Sequence, residues 1–204
     1  MNAPTQEAYD QLAPIYDRRW AYYTEATLRA TLDGLDLAGR VRFLDLGAGT
    51  GELARRLLGR WPDREIIGVD LSRAMLVQGL AKLALRRWRP VQGDAARLPF
   101  PDGVFDALLC TNAFHHFQAP RAALAEMHRV LRPGGLLTLT DWCDDYLTCK
   151  LCSLYLHLVD RSFRRAYTLR ACRQLLDAAG FTVVSARKFK IDWLWGLMRL
   201  EARA

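Results

Sequence analysis

The stretch from Phe43 to Ala54, FLDLGAGTGELA, constrains the fold more than any other part of this 204-residue chain. An apolar run typical of a buried strand comes first, three glycines follow on alternate positions, and a helical pattern begins at Glu52. Glycines at such a point let the chain turn tightly and let a ligand approach the backbone. The N-terminus of the next helix adds free N–H groups and a partial positive charge, so the stretch predicts a ligand-binding turn.

Strand-like and helical segments alternate around this turn. Strands are predicted at 41–46, 65–69, near Val91, and at 104–110 and 136–140, and helices at 4–17, 20–32, 52–60, 72–87 and 120–131. The strands are apolar rather than alternating, which is typical of a parallel sheet that helices cover on both faces. Two further helices are predicted at 146–160 and 169–179, and the closely spaced strands at 181–191 and 193–202 predict an antiparallel hairpin.

Composition narrows the class of protein. No run of 18 apolar residues and no secretion signal is present in the sequence, so we expect no membrane span. Five cysteines without a disulfide framework favour a reduced, cytoplasmic setting, and the Arg-rich composition looks bacterial. Residues 161–204 carry ten basic and three acidic side chains, and therefore the whole net charge of +7. Without a nucleic-acid motif, a solvated basic face is the simpler interpretation, and peripheral membrane contact stays open.

Acidic residues at the ends of successive strands indicate the ligand. Asp70 stands 19 residues after Gly51, where a carboxylate can hold ribose hydroxyls. A dinucleotide site has the pattern G-x-G-x-x-G, but here Glu52 occupies the third glycine position. Asp45, two residues before the first glycine, would repel a pyrophosphate and would suit a ligand with a cationic amino group. S-adenosylmethionine (SAM) has that amine, a sulfonium and a ribose.

A third carboxylate fits the same ligand. Asp94 follows the third strand and can accept the exocyclic amine of an adenine, while Leu71 and Met75 can enclose the ring. Alone, Asp94 is also a common turn residue and Asp45 a common partner of a helix dipole. Three such residues at successive strand ends favour a single adenosine-containing ligand.

The ordered motifs resemble those of Rossmann-like, class I SAM-dependent methyltransferases that act on small molecules, the large group that includes the quinone-biosynthesis C-methyltransferases. The resemblance covers roughly residues 5–142 and rests on YDQLAPIYD, FLDLGAGTG, GVDLS, GDAARLPFPDGVFDALLC, FHHF and LRPGGLLTLTD. It implies a single domain, 1–204, with seven strands in the order 3-2-1-4-5-7-6 and the last strand antiparallel. It further implies a helical lid at the N-terminus, which we place over residues 1–38. Beyond the resemblance, residues 143–180 are predicted to form a helical segment on the substrate side.

The resemblance also implies roles for particular residues. Tyr9 and Tyr16 would lie on the lid, and Asp70 would hold the ribose. The residues implied to contact the methionine part are Asp45, Gly47, Ala48, Gly49 and Gly51, with Thr111 and Asn112 beside its amine, and Asp94 and Ala95 would contact the adenine. S-adenosylhomocysteine would be the product, and a small molecule the methyl acceptor.

Methyl transfer needs alignment, exclusion of water and, for a hydroxyl or carbon nucleophile, a nearby base. His115 and His116 follow the fourth strand, where the resemblance places the substrate pocket, and imidazole titrates near neutral pH. The sequence does not choose between them, and one of them packing or capping the loop before Pro120 is the structural alternative. Asp141 and Trp142 end the fifth strand and are expected to border the substrate.

CTNAF, the segment after the fourth strand, differs from the Asn-Pro-Pro-aromatic motif of enzymes that methylate amino groups of nucleic acids. The sequence therefore predicts a small, lipophilic or anionic acceptor with an oxygen or carbon nucleophile, no nucleic acid, and a monomer or homodimer. A nicotinamide-dependent oxidoreductase and a SAM-binding protein without catalysis are the alternatives. The residues Cys143, Cys149, Cys152 and His157 are potential zinc ligands. Helical spacing, however, places Cys149 and Cys152 on one face with Leu156 and Val159, which favours thiols packed in the core, so no metal is expected. Trp193 and Trp195 are expected to cover a sheet face or to line a greasy cavity.

Overall fold

The computed structural model describes residues 3–83, 87–159 and 163–204. Its helices are α1 (Ala3–Leu12), α2 (Tyr16–Arg19), α3 (Ala21–Leu32), α4 (Glu52–Arg60), α5 (Arg73–Leu83), α6 (Pro120–Val130), α7 (Leu147–Val159) and α8 (Leu169–Ala178). Its strands are β1 (Arg42–Leu46), β2 (Glu65–Asp70), β3 (Trp88–Gln92), β4 (Phe105–Thr111), β5 (Leu131–Trp142), β6 (Thr182–Lys190) and β7 (Gly196–Arg203).

The strands form one seven-stranded sheet in the order β3-β2-β1-β4-β5-β7-β6. The neighbours from β3 to β5 are parallel, and β7 runs antiparallel to both β5 and β6. The implied strand order is confirmed, and so is the C-terminal hairpin. Because the carboxyl ends of β1 to β4 meet at one edge, the residues that follow these strands are brought together there.

Local sequence explains most element boundaries. Ser72 precedes α5, and its hydroxyl accepts a hydrogen bond from the Met75 N–H at 3.1 Å, which confirms the expected N-cap. The first helix is shorter than predicted. Pro14 lacks an N–H donor, so the chain passes through a 3₁₀ turn at Ala13–Ile15 before α2 begins. Residues 84–86 and 160, at the ends of two predicted helices, lie outside the described residues.

Helices cover the sheet on both faces. One core cluster contains Leu124 of α6 and Leu176 of α8 with Leu108 of the central strand β4, and a second contains Leu57 of α4 and Leu76 of α5. The central strands β1 and β4 are almost entirely buried, as their continuous apolar character predicts. The described part of the chain holds no helix with the length and apolarity needed to cross a bilayer.

Helix α7 departs from its expected environment. Cys149 is buried, and Cys152 and Leu156 are half-buried, but Val159 on the same predicted face is mostly exposed. Trp193 does not pack on the sheet either, because it projects from the loop between β6 and β7 and is 78% exposed. The expected core positions of Val159 and Trp193 are therefore wrong, since α7 lies at the periphery and buries only one narrow side.

Candidate functional site

A cleft of about 800 Å³, counting its open mouth, lies at the carboxyl edge of the sheet. Residues from the strand ends, from α1 and from the loop after β4 line it. The sequence-predicted residues among them are Tyr9, Tyr16, Gly47, Gly49, Asp70, Leu71, Met75, Asp94, Ala95, Thr111, Asn112 and His116. Residues that the sequence did not single out include Thr5, Phe117, Gln118 and Ala119. Four predicted residues, Asp45, Ala48, Gly51 and His115, lie beside the cleft rather than in its lining.

The glycine loop begins with a position that only glycine fits. Gly47 has φ +75°, and a Cβ there would lie 2.3 Å from the Cβ of Ala113. The Gly47 and Ala48 N–H groups both donate to the Val69 carbonyl, at 2.8 and 3.0 Å, which fixes the loop against β2. The Ala48 side chain packs into the core, and the Ala48 backbone holds the turn in place. Gly51 then starts α4 in a left-handed conformation.

Asp45 is a buried carboxylate beside this loop. Its Oδ2 atom has no hydrogen-bond partner among the described residues, and the Thr111 hydroxyl is likewise buried and unpartnered. Burial, together with the nearby charge of Asp70, raises the pKa of Asp45 to about 8. A buried carboxyl oxygen without a hydrogen-bond partner is costly, so the site fits a ligand that brings a cationic hydrogen-bond donor, such as the ammonium group of SAM.

The ends of β2 and β3 present two more carboxylates to the cleft. Asp70 accepts the Gly49 N–H through Oδ2 and the Ser72 N–H through Oδ1, each at 2.8 Å. Each carboxylate oxygen has two acceptor sites, so these bonds orient Asp70 and leave capacity for ribose hydroxyls. Asp94 accepts the Ala96 N–H at 2.9 Å, which turns the loop after β3 toward the cleft.

The N-terminal helices are attached to the cofactor side of the molecule. Asp10 of α1 accepts the Ser72 hydroxyl at 2.5 Å, and Asp17 of α2 accepts the Thr50 hydroxyl at 2.5 Å and pairs with Lys82 at 2.7 Å. In the sequence these two aspartates look like ordinary surface residues in a helical pattern, so their contacts are visible only in the folded chain. Burial and the neighbouring carboxylates raise the pKa of Tyr16 to about 12, so this phenol stays neutral beside Asp70.

His115 and His116 have different partners. The His115 ring is buried, its Nδ1 lies 2.6 Å from Asp141 Oδ1, and its backbone N–H donates to Oδ2 of the same carboxylate at 3.0 Å. A carboxylate at Nδ1 fixes the orientation of the His115 ring, as in other pairs of histidine and carboxylate. His116 lines the cleft, and its Nε2 lies 2.6 Å from the Tyr9 hydroxyl of α1.

An aromatic group surrounds His115. Trp142 stacks on its ring with centroids 5.1 Å apart, and Trp195 and Phe163 lie 4.8 and 5.8 Å from Trp142. Tyr23 of α3 joins this aromatic group, because its hydroxyl accepts the Trp142 Nε1–H at 2.5 Å and donates to Asn112 at 2.9 Å. Asp141 and Trp142 end β5, as the sequence predicts, but their pairing with His115 across 26 residues depends on the tertiary fold.

The cysteine-rich segment forms no metal site among the described residues, where no three histidine, cysteine or carboxylate side chains are grouped closely enough to hold an ion. Cys149 donates to the Gly196 carbonyl at 3.3 Å, and Cys143 points toward Asp145. Burial raises the pKa of Cys143 to about 11, so its thiol stays protonated at neutral pH.

The fold and the cleft define a class I, Rossmann-like methyltransferase. Residues 44–139 match the family described as a methyltransferase domain. A chain in the complex between the Haloferax volcanii Trm112 methyltransferase activator and a methyltransferase superposes with a TM-score of 0.86, over 98% of this chain and 97% of that one. At 18% identity, that likeness shows the shared fold alone.

Curated relatives are more similar in sequence. The demethylmenaquinone methyltransferase of Thermus thermophilus is 38% identical over 141 residues, which are 66% of this chain and 64% of that protein. The malonyl-[acyl-carrier protein] O-methyltransferase of Geobacter sulfurreducens is 38% identical over 151 residues, 70% of this chain and 56% of that protein. The chain thus spans less than two thirds of the length of these relatives. The chain therefore carries a methyltransferase domain of the class I, SAM-dependent kind, and it is similar in sequence to the quinone-biosynthesis C-methyltransferases.

Proposed function

We propose that this chain binds SAM in the cleft and catalyses transfer of its methyl group to a carbon of a small, lipophilic quinol. The observation that carries the cofactor assignment is Asp45, a buried carboxylate with an unpartnered oxygen at a glycine loop. Asp45 would receive the ammonium group, Asp70 the ribose hydroxyls, and Asp94 with Ala95 the adenine. A pyrophosphate brings no hydrogen-bond donor for the unpartnered oxygen of Asp45, which disfavours a nicotinamide dinucleotide.

The acceptor would lie between the cleft and the aromatic group around His115. Trp142 and Phe163 are buried and Trp195 is half-buried, so the acceptor ring would pack against the edge of this aromatic group, where aromatic rings pair well. The demethylmenaquinone methyltransferase among the relatives acts on an acceptor of this kind, as its name states. The aromatic group and that relative together favour a quinol over the acyl thioester named for the malonyl relative.

The chain's own part in the reaction is orientation, exclusion of water and removal of a proton. Bound SAM supplies an electrophilic methyl group on a sulfonium sulfur. The acceptor carbon forms a bond to this methyl as the bond from methyl to sulfur breaks, and the acceptor loses one proton. His115 would take that proton, and Asp141, whose Oδ1 lies 2.6 Å from Nδ1, would keep the ring in a fixed orientation as it does so. His116, whose Nε2 contacts the Tyr9 hydroxyl, would order the boundary between cofactor and acceptor.

The test is a methyl-transfer assay with isotope-labelled SAM against isoprenoid naphthoquinols and benzoquinols, simple phenols and carboxylates. We expect label on a ring carbon of a quinol, and calorimetry is expected to detect SAM binding and no NAD binding. Label found only on a carboxylate would refute the quinol assignment, and NAD binding without SAM binding would refute the cofactor assignment. Substituting His115 or His116 by alanine tests their roles in the same assay. His128→Ala is the matched control, since the His128 ring packs on Phe181 away from the cleft.

A further inference from the structure

One side of α7 carries an uncovered row of leucines, here called the leucine stripe: Leu147, Leu151, Leu154 and Leu158. These side chains are 72%, 60%, 66% and 81% exposed. Their spacing of four, three and four residues places all of them on one side of a helix. Single exposed leucines are ordinary, but a continuous row of them marks a binding surface.

The opposite side of α7 is attached to the protein. The Cys149 thiol donates to the Gly196 carbonyl at 3.3 Å, and the Ser153 hydroxyl donates to the Asp144 carboxylate at 3.2 Å. These bonds, together with the buried positions of Cys149 and Ser153, define the core-facing side of the helix. The leucine stripe is therefore turned outward by the fold, and it is available to something other than this chain's core.

Amphipathic aromatic rings and cations adjoin the stripe. Tyr155 on α7 is 63% exposed and Trp193 in the neighbouring loop 78% exposed. Lys150 is exposed along one edge of the stripe. Lys190 lies near its N-terminal end, with Nζ 3.5 Å from the Trp193 carbonyl and 5.4 Å from the ring of Tyr146.

Nearby acids are already engaged within the protein. Asp145 pairs with Lys188 at 3.3 Å, and it also accepts the Leu169 N–H. Asp192 accepts the N–H groups of residues 194 and 195 in its own loop. Among the described residues of this face, Lys150 and Lys190 are cations that form no ion pair within the protein, and they match an anionic surface.

We propose that the leucine stripe, with Tyr155, Trp193 and the two lysines, docks on the surface of a bilayer that contains anionic lipids. Leucines would enter the acyl boundary, Trp and Tyr would sit at the headgroup level, and lysines would contact lipid phosphates. A second copy of this chain fits less well as the partner. The stripe is about 17 Å long and one helix wide, so its area is far smaller than the roughly 800 Å² that each partner buries in a stable interface. A second copy would also set lysine against lysine.

The position of the stripe connects docking with the acceptor. On the inner side of α7, Leu156 packs against the buried cluster that contains Trp142 and Phe163, and Trp195 packs against the same cluster. A bilayer touching the outer side of the helix would therefore lie one helix away from the aromatic group near His115. This connection rests on the proposed function, whereas binding to lipid vesicles does not.

The experiment is co-sedimentation with vesicles, without SAM or acceptor. We compare phosphatidylcholine vesicles with vesicles that contain phosphatidylserine as well. Binding is expected on the anionic vesicles, with Leu151→Gln/Leu154→Gln lowering the partition coefficient about tenfold or more. Lys150→Gln should lower it about fivefold on anionic vesicles and leave the neutral ones unchanged. Val77→Gln/Leu80→Gln is the matched control, because these exposed apolar side chains have the same spacing on α5.

Three results would overturn the docking proposal. The first is that the unsubstituted protein stays in the supernatant with anionic vesicles. The second is that the α5 control variant loses as much vesicle binding as the leucine variant. The third is that analytical ultracentrifugation finds a dimer, which the leucine substitutions dissociate. Circular dichroism melting of each variant separates lost binding from lost folding. Failure of vesicle binding would leave SAM binding and methyl transfer intact, so it is distinguishable from failure of the proposed function.

Discussion

The two ends of the sheet's carboxyl edge are built in different ways. On the side of β1, β2 and β3, short local motifs supply the groups proposed to hold the cofactor, and backbone bonds such as Gly49 N–H to Asp70 hold them rigid. On the side of β5 and β7, the groups around His115 come from segments far apart in sequence, and they are held by stacked rings. The contrast teaches that cofactor recognition can be encoded by motifs, while acceptor recognition depends on packing.

Removing the proposed base tests the acceptor side most strongly. His115→Ala is expected to slow turnover of the quinol by about 10²- to 10⁴-fold, because the proton loses its acceptor. SAM affinity should stay within about twofold, since His115 does not line the cleft. Single-turnover kinetics and calorimetry measure the two quantities. Asp141→Asn should produce a smaller loss of turnover, because the His115 ring loses the carboxylate that fixes its orientation. Full activity in both variants would remove the base assignment and leave His116 as the candidate.

Neutralising Asp45 tests the cofactor side. Asp45→Asn is expected to weaken SAM binding about 30-fold or more, because a buried charge pair loses one partner. In the unchanged protein SAM affinity should rise with pH up to about 8, since the ammonium group needs the ionised carboxylate. The variant should show a flat profile over that range. Calorimetry between pH 6 and 8.5 measures both, and Asp102→Asn, an exposed carboxylate paired with Arg129, is the control.

Asp45→Asn should also stabilise the ligand-free protein. The folded state keeps the Asp45 proton up to a pH of about 8, whereas the unfolded chain releases it near 3.8. The folded state therefore binds the extra proton between these values, and its stability falls as pH rises through them. Asparagine does not ionise, so the variant does not lose stability in this way as the pH rises. The Tm of Asp45→Asn should therefore exceed that of the unsubstituted protein at pH 8 and approach it at pH 4. A lower Tm at pH 8 would contradict the buried, unpartnered state of this carboxylate.

Tyr23 links the two sides through Asn112 and Trp142. Tyr23→Phe leaves the buried Trp142 Nε1–H without its acceptor, so we expect a loss of about 1–3 kcal/mol in the free energy of unfolding. Urea denaturation measures it. Tyr22→Phe is the matched control, because the Tyr22 hydroxyl donates a solvent-exposed hydrogen bond to the Ile191 carbonyl. Equal stability of the two variants would show that the aromatic group tolerates the loss of this link.

The smallest expected effect is on the lid. Tyr9→Phe removes the hydroxyl that contacts His116, and we expect about a fivefold loss of SAM affinity from a helix that holds the cleft less firmly. Stopped-flow dissociation of SAM should accelerate by a similar factor. An unchanged off-rate would place the closure of this cleft on the Asp10 and Asp17 contacts instead.

The sequence by itself determined the strand order of the sheet, through the resemblance that its motifs carry, and the positions of the carboxylates at the strand ends. Strand-ending motifs can be read locally because a parallel sheet always brings its carboxyl ends to one edge. It also placed Ser72 as a helix cap, since capping depends on neighbours three residues apart.

Only the tertiary structure decided what surrounds these motifs. It paired His115 with Asp141, joined Tyr23 to Trp142, and turned the leucines of α7 outward although their pattern is equally compatible with a core face. Each of these outcomes depends on how distant elements pack, and an apolar period defines a helix face without stating what covers it.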